Sequence, residues 1–434
     1  MRLHLVPLLA AALSSPVAFA QTGSISLPGS PGAPASPSAA ASTPIGLSEA
    51  LASALANNPG LTGARHELAA TEGARQQSAT RPNPTLSIDV EDTRRATRAT
   101  TLSLSQPIEL GAKRAARMAV ADRARDVAVA QLAARQAEVR AAVTTAYFDA
   151  LVAQERVRLA EASLTLAEGG SSAAAKRVVA GKISPIDETR ARVAESGVRI
   201  ELLQARSELR STLHALRLAM GATPGTFDAV SGTALDTPPA LSDAELALRL
   251  GDAPAIREAQ RDSERLAALA EVERAKRTPD LTVSLGAKRD NDAGRNMAVL
   301  GLAVPLPVFD SNRGAELEAL RRLDKAVADA RSIASRVELE ALQAQERLQT
   351  GRAEVESLQR DVLPGAQAAY DAAAKGFDLG KFGLLDVLDA QRTLLLAKGQ
   401  YLKALSDTHR ARIELDRLLG EPVQDIPADA PKLP

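Results

Sequence analysis

Gly380-Lys381-Phe382-Gly383-Leu384-Leu385-Asp386-Val387-Leu388-Asp389-Ala390-Gln391 joins two long helical patterns, and the fold is read outward from it. Gly380 can close a helix in the left-handed conformation, and Gly383 opens the next helix as its cap, so the chain reverses at once. The same device stands one repeat upstream. Adding 199 to Gly181, Lys182 and Asp187 gives Gly380, Lys381 and Asp386, and the earlier copy reads Gly181-Lys182-Ile183-Ser184-Pro185-Ile186-Asp187. There Ser184 is the cap, Pro185 takes the first helical position and Asp187 the third. Two tight reversals between long helices give two antiparallel helical hairpins, whose tips (Gly181 to Ser184, Gly380 to Gly383) are where a partner or a gate would sit.

Away from the tips, the two halves repeat each other along nearly their whole length. Leu47-Ser48-Glu49-Ala50 returns as Leu241-Ser242-Asp243-Ala244, Pro84-Thr85-Leu86 as Pro279-Asp280-Leu281, Gln106-Pro107-Ile108 as Val304-Pro305-Leu306, and Gly221 as Gly420, with an offset drifting from 194 to 199. Each half reads short helix, medium helix, strand, strand, very long helix, glycine turn, medium helix. The first repeat spans 46–221, with strands at about 84–92 and 99–109, a long helix over 111–180 and a helix over 184–219. The second spans 241–421, with strands at about 280–289 and 297–308, a long helix over 312–379 and a helix over 383–419. A Pro/Gly-rich linker, 222–240, joins them, and 422–434 is a tail.

Period-2 alternation marks the strands: Leu86, Ile88 and Val90 against Ser87, Asp89 and Glu91, and Leu281, Val283 and Leu285 against Thr282, Ser284 and Gly286. Their length suits a tilted strand crossing a bilayer, although a soluble two-hairpin sheet would look similar, and the aromatic girdles usual in membrane barrels are missing. The long helical stretches are rods of roughly 100 Å at about 1.5 Å per residue. A kink or loop is expected at Gly169-Gly170 and at Pro364-Gly365. The medium helices are short enough to stack end to end along one rod. Two seven-spaced series on the last helix, through Leu388, Leu395, Leu402 and His409 and through Leu394, Tyr401, Thr408 and Leu415, suit packing on two neighbours, though one broad buried stripe would give the same pattern.

The chain begins with an apolar run, Leu3 to Leu13, leading to Ala18-Phe19-Ala20, so residues 1–20 read as a signal peptide and the mature protein leaves the cytoplasm. A Pro/Ser/Ala leader, 21–45, has almost nothing to bury. No later stretch has the roughly 20 apolar residues of a membrane helix, so any membrane segment must be β. Cysteine is absent, which removes disulfides, thiolate metal sites and cysteine lipidation. Lys plus Arg balance Asp plus Glu, 53 against 53, so no basic field argues for nucleic acid. Aromatics are 2% of the chain while alanine abounds, which suits slim helices packed closely.

Leu104-Ser105-Gln106-Pro107-Ile108-Glu109-Leu110-Gly111-Ala112-Lys113-Arg114 resembles the strand-to-helix motif of the heavy-metal, CzcC-like branch of the TolC family of outer-membrane efflux ducts. The Gly380 to Gln391 stretch resembles that family's helical tip, and the likeness covers about residues 46 to 421. It implies a mostly α fold with a small β part: a homotrimer whose helical hairpins form a periplasmic α-barrel and whose four strands per chain complete a shared twelve-stranded outer-membrane β-barrel. It also implies a membrane-fusion adaptor docked on the tips (Gly181, Lys182, Ile183, Ser184, Gly380, Lys381, Phe382 and Gly383), an inner-membrane resistance-nodulation-division pump, and export of divalent heavy-metal cations. Drug efflux and type I protein secretion are the alternatives within ducts; a soluble periplasmic coiled-coil scaffold is the alternative outside them. Asp386 and Asp389 fall on the family's acidic gate positions. Phe377 and Phe382 stand where drug-efflux ducts have Tyr and Arg, so they join the gate candidates while those ducts' polar links do not carry over.

Asp386 and Asp389 lie one turn apart and would also suit ordinary solvated charges. His66, His214 and His409 are scattered, His409 in an apolar seam, and no His or Met cluster has ligand spacing. No Ser/His/Asp constellation or phosphate cradle is present, so the sequence argues against an enzyme and against a bound cofactor.

Overall fold

In the computed structural model, which describes residues 44–221, 227–232 and 237–420, the first repeat runs α1 (Leu47–Asn57), α2 (Pro59–Ser78), β1 (Thr85–Glu91), β2 (Ala99–Ile108), α3 (Lys113–Val179) and α4 (Pro185–Met220). The second runs α5 (Asp243–Leu250), α6 (Pro254–Ala275), β3 (Leu281–Asp290), β4 (Arg295–Ala303), α7 (Arg313–Ser357), a π-helical turn (Leu358–Val362), α8 (Leu363–Asp378) and α9 (Leu384–Leu419). The signal sequence, the leader through residue 43 and the tail lie outside the described residues.

The 67 residues of α3 make a rod of about 100 Å, since Ala, Leu, Arg, Glu and Gln dominate it and no proline interrupts it. Two medium helices cover it in succession. Arg75 of α2 reaches Asp122 at 2.7 Å, while farther along Glu208 of α4 reaches Arg156 at 2.8 Å and Glu195 accepts from Ser171 at 2.6 Å. Asn58 Nδ2 donates to the Ala219 carbonyl at 2.9 Å, joining the end of α4 to the start of α2, so the two medium helices do line one rod.

Four boundaries differ from the expectations. Gly169-Gly170 does not break α3, because a helical glycine costs about 1 kcal/mol but keeps its N–H, so the ladder continues. Pro364, lacking an N–H and crowding the carbonyl four residues back, is instead preceded by the π turn that widens the helix by one residue. β4 ends at Ala303, not 308, since Pro305 and Pro307 cannot donate to a ladder. Ile45, placed at the end of the leader, is buried and bridges Val230, so the packed structure already includes it.

The four strands form one antiparallel sheet in the order β1-β2-β3-β4, the repeats meeting where Leu104 pairs with Leu285. Below it the helices form a wall in which α3 is flanked by α4 and α9, and α9 by α3 and the α7–α8 arm. That is why α9 carries two seams: Leu402, His409 and Leu394, Tyr401, Thr408, Leu415 are all buried. Gly351 permits the close approach of α7, where an added Cβ would lie 2.5 Å from Thr408 Oγ1. The main core gathers Leu47, Leu151, Phe148, Leu216, Phe227 and Leu405 where α1 and the linker cross α3, α4 and α9. A buried ion pair, Arg412 to Asp416 at 3.0 Å, fastens the linker through Arg412 and the Pro239 carbonyl at 2.8 Å. Removing one partner of such a pair costs about 3–5 kcal/mol, because the other is left buried and charged.

Candidate functional site

Both hairpin tips close with the same pair of hydrogen bonds. Gly181 and Gly380 hold φ of +68° and +71°, a conformation open to glycine and costly for other residues. Lys182 N donates to the Arg177 carbonyl and Lys381 N to the Gly376 carbonyl, both at 2.8 Å, while Gly181 N and Gly380 N reach Val178 and Phe377 at 2.9 Å. The caps differ. Ser184 Oγ accepts from Ile186 N at 3.4 Å, whereas Gly383 has no side chain and Asp386 bends back to accept from Gly383 N at 2.8 Å. Asp386 is therefore tied to the first turn of α9, while Asp389, one turn on, is exposed.

The tip residues themselves divide. Lys182, Ser184, Lys381 and Gly383 are exposed, and Ile183 packs with Ala174, Ala191, Phe377 and Leu384 in a small core that binds the two hairpins together. Phe377 is 6% exposed: within the chain it packs in this small core beside Leu384 and Ile183, so its ring is turned away from solvent at the tip. Phe382 is half exposed, its ring lying against Gly376, where a Cβ would come within 2.0 Å.

Arg177 was not among the sequence candidates. Its guanidinium lies 3.7 Å over the Phe377 ring, donates to the Phe377 carbonyl at 2.9 Å and reaches Asp378 at 3.4 Å, tying the first hairpin to the second. The repeat offset makes Arg177 the equivalent of Gly376 but does not predict their contact, which joins residues two hundred apart in the chain.

Midway along the wall, α4, α3, α9 and α7 enclose an open groove of about 1000 Å³. Six carboxylates line it (Glu138, Asp149, Glu346, Glu354, Asp407 and Glu414) against three guanidiniums (Arg347, Arg410 and Arg417). Arg410 pairs with Asp149 at 2.8 Å, and the hydrogen bond from Arg417 holds the Glu414 carboxyl below its ordinary pKa despite partial burial. The remaining balance is negative and would favour cations. Among the described residues no group of three or more His, Asp or Glu could hold a metal ion. His409 is a packing group, stacked on Phe148 with centroids 4.1 Å apart.

The sheet has two unlike faces. Register and alternation put Leu86, Ile88, Leu102, Leu104, Leu285, Leu300 and Leu302 on one face, all largely exposed. The other carries Ser87 hydrogen-bonded to Ser103 and Ser105 to Ser284, each at 2.8 Å, and Lys288 on Glu91 at 2.7 Å. Gly286 sits on this second face so tightly that a Cβ would lie 2.6 Å from the Leu102 carbonyl. Small polar side chains on one face and leucines on the other give this sheet one polar and one apolar side, the alternation of a membrane-barrel wall. Among the described residues no helix is long and apolar enough to cross a membrane.

A wall of ~100 Å helices carrying a sheet with one polar and one apolar face is the architecture of a channel-wall subunit. The family model for outer membrane efflux proteins matches residues 50–222 and 246–421, and the chain belongs to that family. It is 44% identical over 97% of its length, and all of the relative's, to the cobalt-zinc-cadmium resistance protein CzcC of Cupriavidus metallidurans. It is 30% identical to the nickel-cobalt-cadmium resistance protein NccC of Alcaligenes xylosoxydans xylosoxydans over 56% of this chain and 55% of that one. Among solved structures, the transmembrane channel CusC superposes with a TM-score of 0.73 at 20% identity, covering 86% of this chain and 92% of that one. VceC of Vibrio cholerae gives 0.72 at 21%, covering 86% and 96%. The protein is thus an outer-membrane efflux duct with a large periplasmic helical part.

Proposed function

We propose that this chain forms a trimeric duct that exports divalent heavy-metal cations, fed by a resistance-nodulation-division pump through a membrane-fusion adaptor seated on the hairpin tips. The observation that carries the cargo is the full-length 44% identity to a cobalt-zinc-cadmium resistance protein. The acidic balance of the mid-wall groove supports it, because a duct passing cations gains from a negative lining that binds none of them tightly. Trimerisation is supported by the sheet: β1 and β4 each have an open edge, and an unpaired edge in lipid leaves backbone groups costing several kcal/mol each.

In this reading Asp386 and Asp389 of each subunit form two stacked acidic rings at the periplasmic mouth, about 4.5 Å apart along the helix axis. Phe382, half exposed at the tip, narrows the same mouth. Their work differs, because Asp386 also caps α9. Asp389→Ala is expected to raise single-channel conductance in planar bilayers and to weaken cation selectivity and divalent block. Asp386→Ala should do the same and in addition loosen the first turn of α9, because the hydrogen bond from Gly383 N is lost. Unchanged conductance, selectivity and block in the double variant would make both residues surface charges and sink the gate.

A further inference from the structure

The strands, their hairpins and the junctions to the helices, residues 79–112 and 276–312, contain a single aromatic residue, Phe309. Outer-membrane barrels ordinarily mark both edges of their apolar band with aromatic girdles. Phe309 is fully exposed (103%) and follows a run, Val304-Pro305-Leu306-Pro307-Val308, in which every residue is exposed. An apolar hexapeptide left wholly in water is uncommon on a folded surface and marks a contact.

We propose that Val304–Phe309 inserts into the periplasmic leaflet of the outer membrane and that Phe309 is the barrel's aromatic anchor on that side. Continuity with the lipid-facing band names the occupant, since the run leaves β4 directly after Leu300 and Leu302, the exposed leucines of that band. Charge fixes the depth. Immediately past Phe309 stand Asp310 and the start of α7, and the neighbouring junction is a collar of ion pairs, Lys113 to Asp280 at 2.7 Å and Arg277 to Glu316 at 3.0 Å, which belongs in water.

The backbone suits this depth as well. Pro305 and Pro307 have no N–H to satisfy, and Val308 N donates to the Leu306 carbonyl at 2.8 Å, so half of the run's six residues present no unpaired donor. The base of the run is held firmly: Asn312 N donates to Asp310 Oδ1 at 2.9 Å, and Asn312 Nδ2 to the Glu273 carbonyl of α6 at 2.7 Å. The first repeat has no such device. There Ile108 stays paired with Leu281 within the sheet, and Glu109 is bound by Arg117.

The chain contains no tryptophan, so Phe309→Trp creates a single fluorescent probe in the full-length protein. In proteoliposomes the Trp emission is expected to be blue-shifted, quenched by phospholipid brominated near the headgroup end of its acyl chains, and shielded from iodide. Phe382→Trp, at the far periplasmic tip, is the control and should show the reverse. Val308→Trp gives the same readout should the first variant assemble poorly. Quenching by iodide without quenching by brominated lipid would place the run in water and overturn the proposal. Quenching by neither would show a neighbouring subunit covering it and would overturn it equally.

Discussion

A chain carrying Gly181→Val and Gly380→Val is expected to reach the outer membrane and assemble, yet to support no export. Both positions are left-handed, where a β-branched residue costs at least about 1–2 kcal/mol, and the paired bonds from Lys182 and Lys381 form only while that conformation holds. The strain is confined to the tips, because an added Cβ at either glycine meets no neighbouring atom. Assembly, which rests on the sheet and the mid-wall core far from the tips, should persist. Tolerance to the exported cation and particle mass by light scattering read the two outcomes separately. Wild-type tolerance at normal expression would remove the tips from the docking surface.

The second large effect lies in the sheet. Leu300→Arg puts a charge on the lipid-facing side near the middle of β4, at about 2–4 kcal/mol per subunit, and the loss of assembled, detergent-resistant particle should be severe. Ser87→Lys, on the water-facing side of β1, should leave assembly intact and alter conductance instead. Wild-type particles should behave in light scattering as three chains, since four strands cannot close a barrel whose smallest known form has about eight. A stable monomer, or equal damage from both substitutions, would contradict the assignment of the faces.

Much of this was legible from residue pattern. Period-2 alternation located all four strands, and the 199-residue offset located both tips, because strand faces and glycine turns are local properties. Interruptions of the long helices were misplaced for a physical reason: two helical glycines lower stability without breaking a hydrogen bond, whereas Pro364 forces the ladder to widen upstream of itself. What side chains do at the tips was not local. Phe377 looked available from its position beside the turn, but three helices converge on it, and Arg177, which clasps it, lies two hundred residues earlier in the chain. Asp386 is the local exception: as the repeat equivalent of Asp187, at the third helical position, its hydrogen bond back to Gly383 follows from the spacing.

The central claim, an outer-membrane duct for divalent heavy metals, is tested most directly by growth of a strain lacking this chain on zinc, cobalt, cadmium, copper and a panel of drugs. Loss of tolerance to one or more of the divalent metals, restored by the wild-type chain and not by the double tip variant, is the result predicted. Unchanged tolerance to every metal, together with lost tolerance to the drugs, would contradict it.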